Sequence, residues 1–300
     1  MSANATEPAD GILNIDKPQG YTSHDVVARV RRLSGQRRVG HAGTLDPMAT
    51  GVLLVCLGRA TRLVEYLAEG SKVYRAAIRF GIVTDTWDAE GHVIAERDWQ
   101  GLALAEIREA LDAFVGQIEQ APPMYSALKH RGQPLYRLAR RGVTIERRPR
   151  LVEIHRLEVL AWQPPDLVLQ VSCSKGTYVR SLAHELGQRL GPGAHLAALT
   201  RIAIGRFCLQ DAVALDTLMT QGGDGSWRQY LLPIERGVGD LPGVVLDAEA
   251  MQRVAHGQAV SFSGPAVSPV AAYDAAGHLV AILERAADSW RPRKVFLTTP

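Results

Sequence analysis

The first apolar cluster, Ile12 to Ile15, is short and is ended by Pro18 and Gly20, which predicts a strand followed by a turn. Thr22 and Ser23 then offer hydroxyls to cap a helix. Val26, Val27, Val30 and Leu33 recur at helical spacing, and Gly35 is placed to close it. From Val52 to Leu57 the chain is continuously apolar, the pattern of a strand buried on both faces. A second amphipathic helix is predicted over roughly Ala60 to Leu67. The period then changes. Tyr74, Ala76, Ile78 and Phe80 share one face of a strand, Arg75 and Arg79 the other, so Tyr74 is predicted to point into the core. Thr84 to Gly91 reads as a turn, not a calcium loop, because Trp87 and Ala89 stand where oxygen ligands are needed. Leu102 to Val115 has the helical period, Leu167 to Cys173 alternates as a strand, and Ser174 opens a loop that turns into another helix.

Strands and helices alternate irregularly, which predicts an α+β fold with a mixed sheet in place of strict βαβ winding. After about Asp211 the character shifts. Asp216, Asp224, Glu235, Asp240, Asp247 and Glu249 mark a mildly acidic connecting region. Roughly Pro242 to Pro300 returns to short strands around turns such as Asp274–His278, as in a small, separate β-rich domain.

With 300 residues, 46% hydrophobic and 22% charged, the chain can build a sizeable core in one large or two unequal domains. Its net charge of only +3 means that a polyanion must be met by a local patch. One segment supplies such a patch: Lys129, Arg131, Arg137, Arg140, Arg141, Arg147, Arg148, Arg150 and Arg156 face only Glu146 and Glu153, with His130 and Tyr136 interleaved. Cys56, Cys173 and Cys208 are widely spaced, which argues against a disulfide framework or a structural zinc site. The first residues lack the basic and apolar blocks of a signal peptide, and no apolar run is long enough to span a bilayer, so a cytoplasmic protein is expected.

Motifs for nucleotide loops, zinc hydrolases and serine nucleophile elbows are missing. What remains is Asp46, between Leu45 and Pro47. Asp before Pro is a common turn starter. The loop also leads into a buried strand that would hold a side chain rigidly at a cleft, and Gly40 and Gly43 permit close approach by a ligand. The residues alone leave both readings open.

Six stretches, KPQGYTSHDVV, RVGHAGTLDPMATGVLLV, KVYRA, TDTWDAEG, MYSALKHRGQPLY and CSKGTYVRSLAHELG, follow one another in this order. Together, over nearly all of Gly11 to Phe207, they closely resemble the TruB-type tRNA pseudouridine synthases, which isomerise uridine 55 in the T-loop of transfer RNA. The resemblance implies a mixed, largely antiparallel sheet flanked by helices, the pseudouridine synthase fold. Residues 1–10 would be a disordered tail and 11–238 the catalytic domain, with a basic RNA-binding insertion at about 122–150. Residues 239–300 would be a PUA-like RNA-binding domain.

It also implies roles, each beside a blander reading. Asp46 would be the catalytic aspartate, as nucleophile or base. Arg180, otherwise a solvent-facing residue of a first helical turn, would pair with Asp46 and hold it ionised. Tyr74, otherwise plain core, would pack on the target base and remove the proton from C5. His41, otherwise a core-edge histidine, would fill the space left by the flipped uridine. Tyr178 and Leu199, otherwise a helix-start aromatic and a core residue, would meet the base, and Lys17 with Pro18 would lie beside the site. Lys129 would contact RNA with the rest of the basic segment, whose ordinary explanation is a solvated helix face; nine cations against two acids favour RNA. Arg291, Arg293 and Lys294 are further phosphate candidates.

The expected partner is tRNA, through its T-arm and, by the C-terminal domain, its acceptor end. The expected protein is a monomer without metal, cofactor or membrane contact. A tRNA-binding or tRNA-folding module without catalysis is the alternative, and an enzyme acting on small nucleotides is a weaker third.

Overall fold

The computed structural model describes residues 8–222 and 225–297. The chain begins with β1 (Gly11–Lys17), α1 (Ser23–Ser34), β2 (Val39–Ala42) and β3 (Thr50–Leu57). A 3₁₀ turn (Gly58–Leu63) runs into α2 (Val64–Glu69), followed by β4 (Lys72–Phe80), the hairpin β5 (Ile82–Thr84) and β6 (Val93–Glu96), α3 (Leu104–Asp112) and β7 (Gly116–Gln120). Next come the two-residue strands β8 (Lys129–His130) and β9 (Gln133–Pro134), then α4 (Leu135–Ala139), β10 (Arg150–Gln163), β11 (Asp166–Cys173), α5 (Val179–Leu190) and β12 (Ala194–Ile204). After β13 (Phe207–Cys208), β14 (Val213–Ala214), α6 (Leu215–Gln221) and β15 (Leu231–Leu232), the chain closes with β16 (Gly243–Val245), α7 (Ala248–Ala255), β17 (Val270–Tyr273), β18 (Leu279–Ala286) and β19 (Ser289–Val295).

An eleven-stranded mixed sheet dominates, in the order β14-β1-β3-β12-β4-β11-β10-β7, with β13 on β12, β15 on β1 and β2 on β3. Among the described residues its only parallel pairs are β1 with β14 and β3 with β12, so the sheet is largely antiparallel as expected. The continuous apolar run of β3 is explained by cover on both faces. Leu53, Val55 and Leu57 pack with Val26, Val30 and Leu218 of α1 and α6, while Val52, Leu54 and Cys56 pack with Ile282 and Phe296 near the C-terminus. On β4 the alternation holds: Tyr74, Ala76, Ile78 and Phe80 are buried against Val179, Leu182 and Leu186 of α5. Thr22 caps α1 by accepting from the Asp25 amide and Gly35 closes it at φ 67°, a left-handed conformation that glycine adopts without strain.

Four details differ from expectation. Ala60 to Leu67 is not one helix but the 3₁₀ turn joined to α2. The acidic region after Asp211 is no mere connection, because β14 and β15 both pair with β1 and extend the sheet. Of the tail expected over 1–10, residues 1–7 lie outside the described residues, whereas Asp10 pairs with Arg59 at 2.6 Å. The bland reading of the basic segment as a helix face does not hold: only α4 within it is helical, most of it is a long excursion between the hydrogen-bonded neighbours β7 and β10, and Arg150 and Arg156 lie in β10 itself.

The C-terminal sheet, β16-β17-β18-β19, has its own core around Val254, Val270, Leu283 and Trp290. It also docks on the large sheet: Ala271, Leu279, Ile282 and Phe296 share a cluster with Ile12 and Leu63. Arg59 and Arg62 donate to the carbonyls of Phe296 and Val295, and Glu235 accepts from the Leu279 amide at 2.8 Å. Arg293 and Lys294, candidates for phosphate, are instead engaged with Glu65, and Arg293 also with Glu284; Arg291 is exposed. No described helix is long and apolar enough to cross a membrane.

Candidate active site

The loop between β2 and β3 is held from three sides through its backbone. Ser23 Oγ accepts from the Leu45 amide at 2.9 Å, and the Gly20 amide donates to Pro47 O at 2.8 Å. From the sheet side, Arg201 donates to Gly43 O at 3.0 Å and Val52 O at 2.7 Å. Leu45, Met48 and Ala49 are buried, which leaves Thr44 and Asp46 as the polar side chains the loop presents, Asp46 being the ionisable one. The reading of Asp46 as a turn-former is also met in part, since its carbonyl accepts from the Ala49 amide.

Asp46 opens into a cavity of about 610 Å³. Five of the eight residues singled out from sequence line it together: Asp46, Tyr74, Tyr178, Arg180 and Leu199. Arg180 does not face solvent. Its side chain is 4% exposed and reaches Asp46 Oδ2 at 3.0 Å and Asp88 Oδ2 at 3.3 Å, while donating to Tyr125 O at 2.8 Å. A guanidinium has donors enough for this fork, and its burial makes each contact directional and costly to lose.

Arg180 pairs with Asp46 as expected, but the pairing does not decide the direction of the Asp46 shift. Burial raises the pKa of Asp46 above the ordinary aspartate value and the neighbouring Asp88 carboxylate adds to this, while Arg180 and Lys17 only partly oppose it. Burial is the larger cause, and Arg180 offsets it incompletely because one guanidinium is divided between two carboxylates. Tyr74 and Tyr178 are likewise shifted up by burial, with Arg201 pulling Tyr74 the other way.

The other three residues lie off the cavity wall. Lys17 is fully buried behind the loop and donates to the carbonyls of Pro18, Tyr21 and Pro47, so it acts on the loop's backbone. Burial draws it down to about 8. His41 is half-buried on β2, edge-on to His24 with ring centroids 5.6 Å apart, and its Nδ1 has no partner. Burial draws it down to about 4, so the ring is neutral near pH 7. Lys129 is exposed on β8. Of the nine cations in that segment all but Arg147 are exposed; Arg147 lies over the Trp87 ring at 5.4 Å.

Sequence reasoning missed four residues. Asp88 lies in the turn Thr84–Gly91, one of the six matching stretches, where sequence reasoning gives it no role of its own, yet it is 3% exposed and holds Arg180. Gln120 accepts from the Tyr178 amide at 2.7 Å and so fixes the start of α5. Arg201 and Lys72 are buried cations on β12 and β4 that border the cavity. Neither carries a local signal, since a lone cation in a strand is ordinarily exposed and only the sheet neighbours show that it is buried.

Among solved structures, an H/ACA RNP bound to a substrate RNA containing 2′-deoxyuridine matches with a TM-score of 0.74 and 27% identity, over 96% of this chain and 85% of that one. The large mixed sheet and its helices are the pseudouridine synthase fold, and the protein is an isomerase of that class. Residues 31–179 match the model of the TruB family pseudouridylate synthase N-terminal domain. Residues 180–239 match the tRNA pseudouridylate synthase B C-terminal domain, and 241–297 match tRNA pseudouridine synthase II, C terminal. The tRNA pseudouridine synthase B of Dehalococcoides mccartyi is 46% identical over 96% of this chain and 97% of its own. That of Symbiobacterium thermophilum is 50% identical over 85% and 84%. The chain belongs to the TruB family of pseudouridylate synthases.

Proposed function

We propose that the protein converts uridine 55 of the tRNA T-loop to pseudouridine, with Asp46 as the essential carboxylate. The observation that carries this reading is Asp46 itself, 34% exposed at the cavity and held by a 4% exposed Arg180 among Tyr74, Tyr178 and Leu199. Substrate and product are isomers: the C1′–N1 bond breaks, a C1′–C5 bond forms, C5 loses a proton and N1 gains one. The balance requires no electron carrier. A carboxylate fixed by its own backbone serves as nucleophile or base on the nucleotide.

The apolar and aromatic wall suits an extruded base, and unstacking costs roughly a few kcal/mol that phosphate contacts offset. The exposed cations from Lys129 to Arg156 border the side where Arg150 lines the cavity and supply such contacts. His41, neutral and on the same β2–β3 unit as Asp46, would occupy the gap left in the RNA. Tyr74 is the group assigned to the C5 proton.

The test is tritium release from tRNA carrying 5-tritiated uridine. The unmodified chain is expected to release tritium and Asp46→Asn to release none above background. Normal release by Asp46→Asn would overturn the assignment, and no release by the unmodified chain would favour a tRNA-binding module without catalysis.

A further inference from the structure

Outside the long basic excursion lies a second concentration of positive charge. Residues 29 to 38 contain Arg29, Arg31, Arg32, Arg37 and Arg38 and no acid. They form the end of α1 and the link into β2. Arg31, Arg32, Arg37 and Arg38 are exposed, and among the described residues none of the five makes a salt bridge. The nearest acid in sequence, Asp25, is occupied in the α1 capping box with Thr22.

Helix electrostatics explain part of this. Cations in the last turn complement the C-terminal end of the macrodipole, and Arg31 and Arg32 lie there. Arg37 and Arg38 lie beyond the helix, past Gly35, where that attraction has ended. Two of the side chains are pre-ordered on the surface: Arg31 donates to Val39 O at 2.7 Å and Arg38 to Thr61 Oγ1 at 2.9 Å. Each bond uses one of five guanidinium donors, so most of their donor capacity still faces solvent.

Position supplies the partner. The arginines feed directly into β2, whose third residue is His41. At strand rise, Arg38 and His41 are about 10 Å apart along the backbone. Thr61, which Arg38 grips, belongs to the 3₁₀ turn whose Arg59 and Arg62 reach the C-terminal domain. The cluster therefore lies at the start of β2, at the opposite end of that strand from the Asp46 loop and beside the 3₁₀ turn.

Resting on the substrate reading above, we propose that Arg32, Arg37 and Arg38 form a second phosphate-binding arm, which grips the RNA backbone beside the nucleotide that His41 replaces. Together with the basic excursion this arm gives two separate electrostatic holds on one RNA. Such contacts position the backbone and carry no base information.

The experiment measures binding of a T-arm stem-loop RNA by the full chain over a salt series. The unmodified chain is compared with the triple variants Arg32→Gln/Arg37→Gln/Arg38→Gln and Arg32→Lys/Arg37→Lys/Arg38→Lys. The Gln triple is expected to bind roughly tenfold more weakly and to lower the slope of log affinity against log salt by about 2, since each lost phosphate contact removes about 0.7 to 0.9. The Lys triple keeps the charge and is expected to restore the slope. An unaltered slope in the Gln triple, or a Lys triple that behaves like it, would overturn the arm alone. Absence of T-arm binding by the unmodified chain would overturn the substrate reading and the arm with it.

Discussion

At the scale of single residues, the site is built by buried charges that hold one half-open carboxylate. Asp46 is destabilised as an anion, because burial and Asp88 together outweigh Arg180. Replacing it by Asn should therefore remove turnover by at least about 10³-fold without lowering thermal stability. Activity assays with parallel melting curves check both halves of this, and a large loss of stability would contradict the electrostatic account. Arg201 behaves differently. It is 1% exposed, donates to Gly43 O, Thr44 O and Val52 O, and lies close enough to Tyr74 to act on its charge. Arg201→Met leaves these acceptors buried and unpaired and should cost about 3–5 kcal/mol. Arg201→Lys keeps the charge but cannot span three carbonyls, so it should fold yet turn over at least about tenfold more slowly. Denaturant unfolding and single-turnover rates separate the two effects. Asp46 was legible from sequence because the six matching stretches single it out where loop context alone left two readings open. Arg201 was not, because a lone arginine in LAALTRIAI acquires meaning only once β12 is seen between β3 and β4.

At the scale of elements, period and capping predicted most of the secondary structure. Thr22, Gly35, the β3 run and the β4 alternation all hold. The basic excursion shows why the rest was hidden. Besides short local turns, some of its carbonyls are bonded by distant side chains, as where Ala121 O accepts from Ser181 and Tyr125 O from Arg180, and such pairings carry no local period. Helix α5 joins both lessons. Val179, Leu182, Ala183 and Leu186 are its buried stripe, and its first turn supplies Arg180. Further along the same helix Glu185 is half-buried without an ion-pair partner among the described residues, and burial pushes it up to about 7. A raised carboxyl is most costly when ionised. The cost is full above about pH 7, fades as pH falls towards the ordinary value of 4.5, and is gone below it. Glu185→Gln should therefore stabilise the chain by ~1–2 kcal/mol at pH 8, allowing for solvent screening, and by almost nothing at pH 4. Chemical denaturation at the two pH values tests this, and an equal gain at both would refute it.

At the scale of the whole molecule, the sequence suggested a small β-rich unit joined by an acidic connector, yet the two sheets share a core. Val52, Leu54 and Cys56 of β3 face Ile282 of β18 and the adjacent Phe296, while their neighbours Leu53, Val55 and Leu57 face α1. The strand that ends the Asp46 loop is thus covered on one side by the C-terminal domain. Arg59, Arg62 and Glu235 add backbone contacts at the seam, and Glu65 gathers Arg293 and Lys294 there. A docking surface of this kind couples unfolding of the domains, so heating should give one cooperative transition for the full chain. A chain ending at residue 240 would expose Val52, Leu54, Cys56, Ile204 and Phe207 to water. At about 0.8 kcal/mol per CH₂ uncovered, that loss exceeds the margin by which most domains are stable. The truncated chain should therefore melt at least about 10 °C lower, or aggregate, and lose turnover even on a T-arm stem-loop too short to reach the missing domain. Calorimetry of both chains and the tritium assay on the stem-loop decide the point. If the truncated chain kept full stability and full stem-loop activity, the shared core would be a mere contact, and the C-terminal domain an independent module.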